Sequence, residues 1–210
     1  MKVIHQTYKS VQVNEPITLT IGNFDGLHLG HRELIKTVCQ FDDTKKALMT
    51  FDPHPSTVLR KKPFYILTKA TDKIDLASHY PLDYFILVKF NETFQKLDKD
   101  AFIIFLKNLS VKRLIIGRDF RFAHKGQGHI EDLKAHFEVI VLDDILYRQS
   151  RISTTYVKDL LDDGETDIVK KLLTQPYCIK GMVVDGNQVG KSLGFPTANI
   201  DYDHYYLPKN

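Results

Sequence analysis

Five short apolar runs, Ile17 to Ile21, Ala47 to Phe51, Tyr84 to Val88, Arg113 to Ile116 and Val139 to Leu142, alternate with segments of helical periodicity, and few folds satisfy that alternation. Arg32 to Cys39 sets Leu34, Ile35 and Val38 on one helical face, and Ala101 to Leu109 does the same with Phe102, Ile103, Phe105, Leu106 and Leu109. Asp98 or Asp100 can cap the latter, and Thr71 with Asp72 can open a further helix running through Ile74 and Leu76 to Pro81. Strands regularly spaced by helices imply right-handed crossovers, hence a doubly wound parallel α/β sheet. Such a sheet takes its ligand beyond the carboxyl ends of the strands, which is where the loops after Ile21, Phe51 and Ile116 would meet.

Composition narrows the class of partner. The 210 residues are 43% hydrophobic and 26% charged, and no apolar run reaches the length of a membrane span. No secretory signal is visible, and Cys39 and Cys178 lie far apart without a CxxC partner, which argues against a disulfide framework or thiolate zinc site and for the cytoplasm. A net charge of +3 suits anionic nucleotides but is too mild for a nucleic-acid surface, and Arg60-Lys61-Lys62 reads as a solvated loop.

The loops carry the chemistry. In Gly22 to His31, His28 and His31 stand three residues apart at a helix entry, where unpaired N–H groups and the dipole favour an anion such as phosphate; two structural histidines are the plainer reading. Asp52-Pro53-His54-Pro55 presents Asp52 and His54 on a turn stiffened by proline, either as a ligand edge or as a simple turn. Gly117 to Gly128 combines glycines, Phe120 and Phe122, and the cations Arg118, Arg121 and Lys125. It can hold a flat ligand or be a basic surface loop. Arg151 to Lys158 places Ser153 or Thr154 as the cap of a helix that continues to Gly164, making a second phosphate end or an ordinary capped helix. A short helix from Asp167 to Leu173 leads to Gln175-Pro176, taken as a domain boundary, after which a strand running through Met182 to Val184 enters a turn at Asp185-Gly186-Asn187.

Taken together, GNFDGLHLGH, TFDPHP, GRDFRFAHKGQG and RISTTYVK resemble, in order, the HxGH-type signature and three further motifs of the prokaryotic bifunctional riboflavin kinase and FMN adenylyltransferase family, also called FAD synthetase. GKSLGFPTANI resembles the opening of that family's kinase barrel. The resemblance implies a Rossmann-like nucleotidylyltransferase domain over residues 1–175 and the incomplete start of a riboflavin kinase-like β-barrel over 176–210. It implies adenylyl transfer from ATP to FMN, giving FAD and pyrophosphate, with Mg2+ carried by ATP and no metal ligand assigned to the protein. Riboflavin kinase activity is not expected of these 210 residues.

By the same resemblance His28, His31 and Arg151 act on the phosphates. Gly22, Asn23, Phe24, Asp25, Gly30, Gly117, Ser153, Thr154, Thr155 and Lys158 would bind ATP. Asp52, Pro53, His54, Asp119, Phe120 and Phe122 would bind flavin, and Thr197 and Asn199 are remnants of the kinase's nucleotide site. Lys158 stands where the family has Arg, and Ala123 where it has Gly. Two alternatives stay open: another HxGH nucleotidylyltransferase, acting on pantetheine phosphate or a pyridine mononucleotide, and a non-catalytic flavin-nucleotide binding or regulatory protein. The partners expected are small molecules, with neither nucleic acid nor membrane. The piece after Tyr177 is expected to pack loosely, because an incomplete barrel exposes strand edges.

Overall fold

The computed structural model describes residues 1–59, 64–185 and 197–209. Its centre is a six-stranded, wholly parallel sheet of β1 (Lys2–Gln6), β2 (Ile17–Ile21), β3 (Lys45–Asp52), β4 (Tyr84–Lys89), β5 (Val111–Gly117) and β6 (Glu138–Leu142). The spatial order is β1-β4-β3-β2-β5-β6, so the chain reverses its direction of travel across the sheet on either side of β2. That reversal opens a crevice at the carboxyl ends of β2 and β5, the usual ligand position in such sheets.

The crossovers contain α1 (Leu29–Val38), α2 (Pro55–Leu59), α3 (Ala70–Ala77), α4 (Glu92–Gln95), α5 (Lys99–Asn108) and α6 (Ile130–Lys134). Ile17, Leu19, Met49, Ile86 and Leu114 pack on one sheet face against Phe102, Phe105 and Leu106 of α5. Leu48, Phe85, Leu87 and Ile115 pack on the other against Ile35 and Val38 of α1 and Leu76 of α3. Helices on both faces bury both faces, which is why the strands read as continuous apolar runs. Of the two acidic candidates for capping α5, Asp98 does so, accepting from the Ala101 N–H at 2.8 Å.

Beyond the sheet come the hairpin β7 (Leu146–Tyr147) and β8 (Ser150–Arg151), then α7 (Thr154–Asp162) and α8 (Thr166–Leu173). Val157, Leu160, Leu161, Ile168, Val169 and Leu172 of these two helices form a third apolar cluster with Leu67. An antiparallel pair, β9 (Met182–Val184) and β10 (Asn199–Asp201), follows and is exposed. The expected turn at Gly186-Asn187 and the Gly190 to Pro196 part of the last motif lie outside the described residues.

The chain near its carboxyl end departs from the expected loose packing. Tyr205 is 1% exposed and its hydroxyl donates to the Asp72 carboxylate, while the Tyr206 N–H donates to the Ile66 carbonyl. An aromatic ring with a buried hydroxyl partner ties this segment to α3, whatever the edges of β9 and β10 do.

Candidate active site

The crevice is a cavity of about 470 Å³ lined by Gly22, Asn23, His28, Gly30, His31, Gly117, Asp119, Phe120, Arg151, Ser153, Thr154 and Thr155, among others. Three of the four loops singled out by the sequence line it: those after Ile21 and Ile116, where the topology puts them, and Arg151 to Thr155; of the loop expected there after Phe51, none of residues 52–55 does. A second cavity of about 420 Å³ adjoins it and shares Ile21, Asn23, Phe51, Phe120 and Arg121. Its own walls include the phenylalanines Phe90, Phe94, Phe102 and Phe122.

The floor of the crevice is the β2–α1 loop. His28 and His31 stack with ring centroids 3.7 Å apart, and the Nδ1 of each is buried without a hydrogen-bond partner. Burial, then the nearby Arg151 charge, lowers the His28 pKa to about 4. His31 is partly covered as a whole, but its Nδ1 is sealed. Burial first, and then the charge of His28, holds its pKa well below the usual imidazole value. Both rings are neutral at pH 7, so each keeps one nitrogen as acceptor and one as donor. The ring of His28 lies against the helix start because residue 30 is glycine: a Cβ there would come within 3.3 Å of its Nδ1. α1 has no acidic residue in its first turn and no side-chain cap, which leaves its first N–H groups for an anion.

Phe24 and Asp25 do not reach the crevice wall. Phe24 is fully buried, and Asp25 is 1% exposed, with Oδ1 accepting from the N–H groups of Leu67 at 2.8 Å and Thr68 at 2.9 Å. The backbone carbonyl of Asp25 accepts from the Thr154 hydroxyl at 3.0 Å. These two residues clamp the loop from behind. Burial raises the Asp25 pKa, with Lys73 and Lys158 opposing it.

The opposite wall comes from β5 and from β8 with α7. Arg151 pairs with Asp119 at 2.6 Å and with Asp144 at 2.9 Å, and Arg118 pairs with Asp143 at 2.6 Å. Of the three hydroxyls, Ser153 is used in capping α7 by accepting from the Tyr156 N–H, and Thr154 is used on Asp25; Thr155 is exposed. Ala123 has φ of +64° and ψ of −174°, a region suited to glycine, which gives the loss of Gly at this position a physical cost.

The second-strand motif is split between two places. Asp52, at the end of β3, lies 3.3 Å from His5 Nε2, and its peptide to the exposed Pro53 is cis. His54 is buried, stacks on Phe64 at 4.9 Å and lines a third cavity with Lys158, Thr154, Thr155 and Tyr206. Asp52 and Pro53 line neither the crevice nor the aromatic cavity, since the pairing with β1 draws Asp52 away. Lys158 is seated by the Tyr65 carbonyl at 2.5 Å and lies over the rings of Phe64 and Tyr206. Thr197 and Asn199 are exposed, and neither lines the crevice.

Sequence reading overlooked Phe90 and Phe94, although both follow an apolar run whose carboxyl end faces the same side, the signal used for the other loops. No group of three or more His, Cys, Asp or Glu among the described residues could hold a metal ion. No helix among them is long and apolar enough to cross a membrane.

Comparison with known proteins places this geometry. A model of the FAD synthetase family matches residues 10–156, and a riboflavin kinase model matches 173–210. The bifunctional riboflavin kinase/FMN adenylyltransferases of Buchnera aphidicola (subsp. Schizaphis graminum) and Bacillus subtilis are 35% and 34% identical. Those alignments cover 95% and 99% of this chain and 68% and 70% of the relatives' lengths. A Streptococcus pneumoniae structure described as a macrolide-efflux protein superposes with a TM-score of 0.85 at 27% identity, covering 99% of this chain and 72% of that one. Pantoate-beta-alanine ligase from Francisella tularensis shares the fold alone, with a TM-score of 0.50 at 11% identity, covering 89% of this chain and 91% of that one. With the matched region running through the β2–α1 loop, the third loop and the start of α7, the chain belongs to the FAD synthetase family.

Proposed function

We propose that the chain transfers the adenylyl group of ATP to FMN. The terminal phosphate oxygen of FMN attacks the α-phosphorus of ATP, a P–O bond forms, the bond to the β-phosphate oxygen breaks, and pyrophosphate leaves with the electron pair. One observation carries this reading: a crevice carrying two imidazoles and an arginine adjoins a cavity walled in part by phenylalanines, with Asn23, Phe51 and Phe120 common to both. A nucleoside triphosphate suits the first, and a planar isoalloxazine the second.

In this reading no covalent enzyme intermediate is needed, and the protein positions the reactants and stabilises developing charge. The N–H groups at the start of α1 and the imidazole N–H groups of His28 and His31 donate to the phosphates. Arg151 exchanges its carboxylate partners for phosphate oxygens. Its side chain is 44% exposed, so those ion pairs are screened and cost roughly 1 kcal/mol or less to give up. Gly22, Gly117 and Thr155 border the nucleotide; Phe120 and Phe122 border the flavin, joined by Phe90 and Phe94. Phe24, Asp25, Ser153, Thr154 and Lys158 act by holding the walls rather than by touching substrate.

Magnesium, which neutralises phosphate charge when bound, enters here as the counter-ion of the nucleotide. Asp119, Asp143 and Asp144 are already engaged with arginines and do not make a protein cage for it. The domain division at residues 175 and 176, and residues 176–210 as the opening of a kinase-like barrel carrying Thr197 and Asn199, belong to the same proposal. So does a cytoplasmic setting, which the free thiols of Cys39 and Cys178 suit.

The test is acceptor choice. The purified chain is given ATP and Mg2+ with FMN, phosphopantetheine or nicotinamide mononucleotide, and products are separated. FAD from the first mixture and nothing from the others is the expected result. An adenylylated product from either other acceptor, or FMN binding without turnover, would overturn the proposal.

A further inference from the structure

A buried cation lies beneath the crevice floor, outside every motif named above. Lys73, on α3, is only 2% exposed, and its ammonium donates to the Asn23 carbonyl at 2.6 Å. The same oxygen accepts from the Thr50 hydroxyl at 3.1 Å, and Thr50 is itself fully buried. Burying an ammonium costs several kcal/mol unless it is well satisfied, so a residue that only filled this space would more economically be apolar. Asp25, Asp52 and Asp72 supply the opposing field, against a burial that lowers the Lys73 pKa.

What the ammonium holds is the junction of the site. Asn23 lines the crevice, the aromatic cavity and the third cavity beside Lys158, and it is the residue that all three have in common. The residue after it, Phe24, is locked at φ of +48° with its ring buried. The carbonyl of Asn23 and the ring of Phe24 therefore fix the backbone on both sides of one peptide, and with it the direction from which the Asn23 side chain departs. An amide at this point can face the place where a phosphate from one cavity meets a phosphate from the other.

We infer that Lys73 is a positioning residue for adenylyl transfer: by holding the Asn23 carbonyl from below, it keeps the Asn23 side chain at the junction of the polyphosphate and flavin cavities. This rests on the adenylyl-transfer reading. Wild-type FAD formation is therefore measured alongside, and its absence would overturn that reading rather than the assignment of Lys73 alone.

The experiment compares Lys73→Met, Thr50→Val, Asn23→Ala and the two doubles with Asn23→Ala, each after a cooperative melt shows it folded. Loss of a charged hydrogen bond predicts a fall in kcat of about tenfold to a hundredfold for Lys73→Met, with KM for ATP and FMN within about threefold. Thr50→Val, removing a neutral bond to the same oxygen, should lower kcat by about threefold to tenfold, again with little change in KM. In the Asn23→Ala background both effects should shrink to within about twofold, because the group being positioned is gone. A merely structural lysine would give costs undiminished in that background. Undiminished costs, or unchanged kcat in both single variants with wild-type turnover intact, would overturn the inference. Should Lys73→Met not fold, Thr50→Val and its double with Asn23→Ala decide the matter by the same criteria.

Discussion

The two walls of the crevice are built on opposite principles. The β2–α1 loop is sealed from behind by groups with almost no solvent contact, Asp25 at 1% and Lys73 at 2% exposure, and its imidazoles are held neutral by burial. The β5 and β8 wall is closed by surface ion pairs, in which the side chains of Arg151 and Asp119 are 44% and 62% exposed. A buried polar group that loses its partner is expensive, whereas an exposed pair exchanges partners at little cost. The comparison assigns preorganisation to one wall and adaptation to the other, so substitutions on the two sides should behave differently.

The sharpest break of that contrast is at the imidazoles. His28→Ala or His31→Ala should lower kcat by about a hundredfold or more, as removal of a preorganised donor does elsewhere, and steady-state FAD formation checks it. An unchanged rate in a folded variant would take the preorganised wall out of the chemistry.

Acid is the next largest lever, and on the sealed wall it acts through the imidazoles. The folded His28 takes up a proton only near pH 4, whereas the unfolded chain does so near 6.5, so the stability is fully present above 6.5 and is lost as pH falls through that window. Each pH unit within it should cost about 1.4 kcal/mol from His28, with His31 adding in the same direction. Urea unfolding from pH 7 to 4 measures this, and His28→Gln should flatten the slope.

On the adaptable wall Asp119→Asn or Asp144→Asn should change kcat by no more than about threefold, since Arg151 leaves these carboxylates in any case. Steady-state kinetics of the two variants measures this, and a tenfold loss would mean that the pairs are rigid parts of the site. Two small effects complete the series. Ala123→Gly should raise stability by about 1 kcal/mol, by releasing a left-handed alanine, as read from urea midpoints. Lys158→Arg should leave turnover within about threefold, because the present ammonium already has a fitted seat on Tyr65, Phe64 and Tyr206.

These predictions also show which parts of the molecule a sequence can disclose. The four interior strands, β2 to β5, were legible because both of their faces are buried, which writes an unbroken apolar run; the edge strand β6 was legible from Val139 to Leu142, although it is only partly covered. β1 was not, because only Ile4 in Lys2–Gln6 is buried. Three of the four motif loops reach the crevice, those after β2 and β5 because their position after those strands requires it. What the motifs could not convey is which members face it. Asp25 lies within the first motif yet points backward to Leu67 and Thr68, and Asp52 is drawn to His5 on the edge strand. Lys73 left no trace, since a lysine in a short helix reads as solvated until the fold turns it inward. Phe94 was similarly hidden in a four-residue helix, Glu92–Gln95, too short to show periodicity.

The whole account depends on which phosphorus of ATP is attacked and by what. Incubating the chain with FMN, Mg2+ and ATP labelled at the α-phosphorus, and following the label, tests this directly. Label appearing in FAD with unlabelled pyrophosphate released is the predicted result. Label remaining in ATP, or leaving as AMP or ADP with no FAD formed, would contradict it.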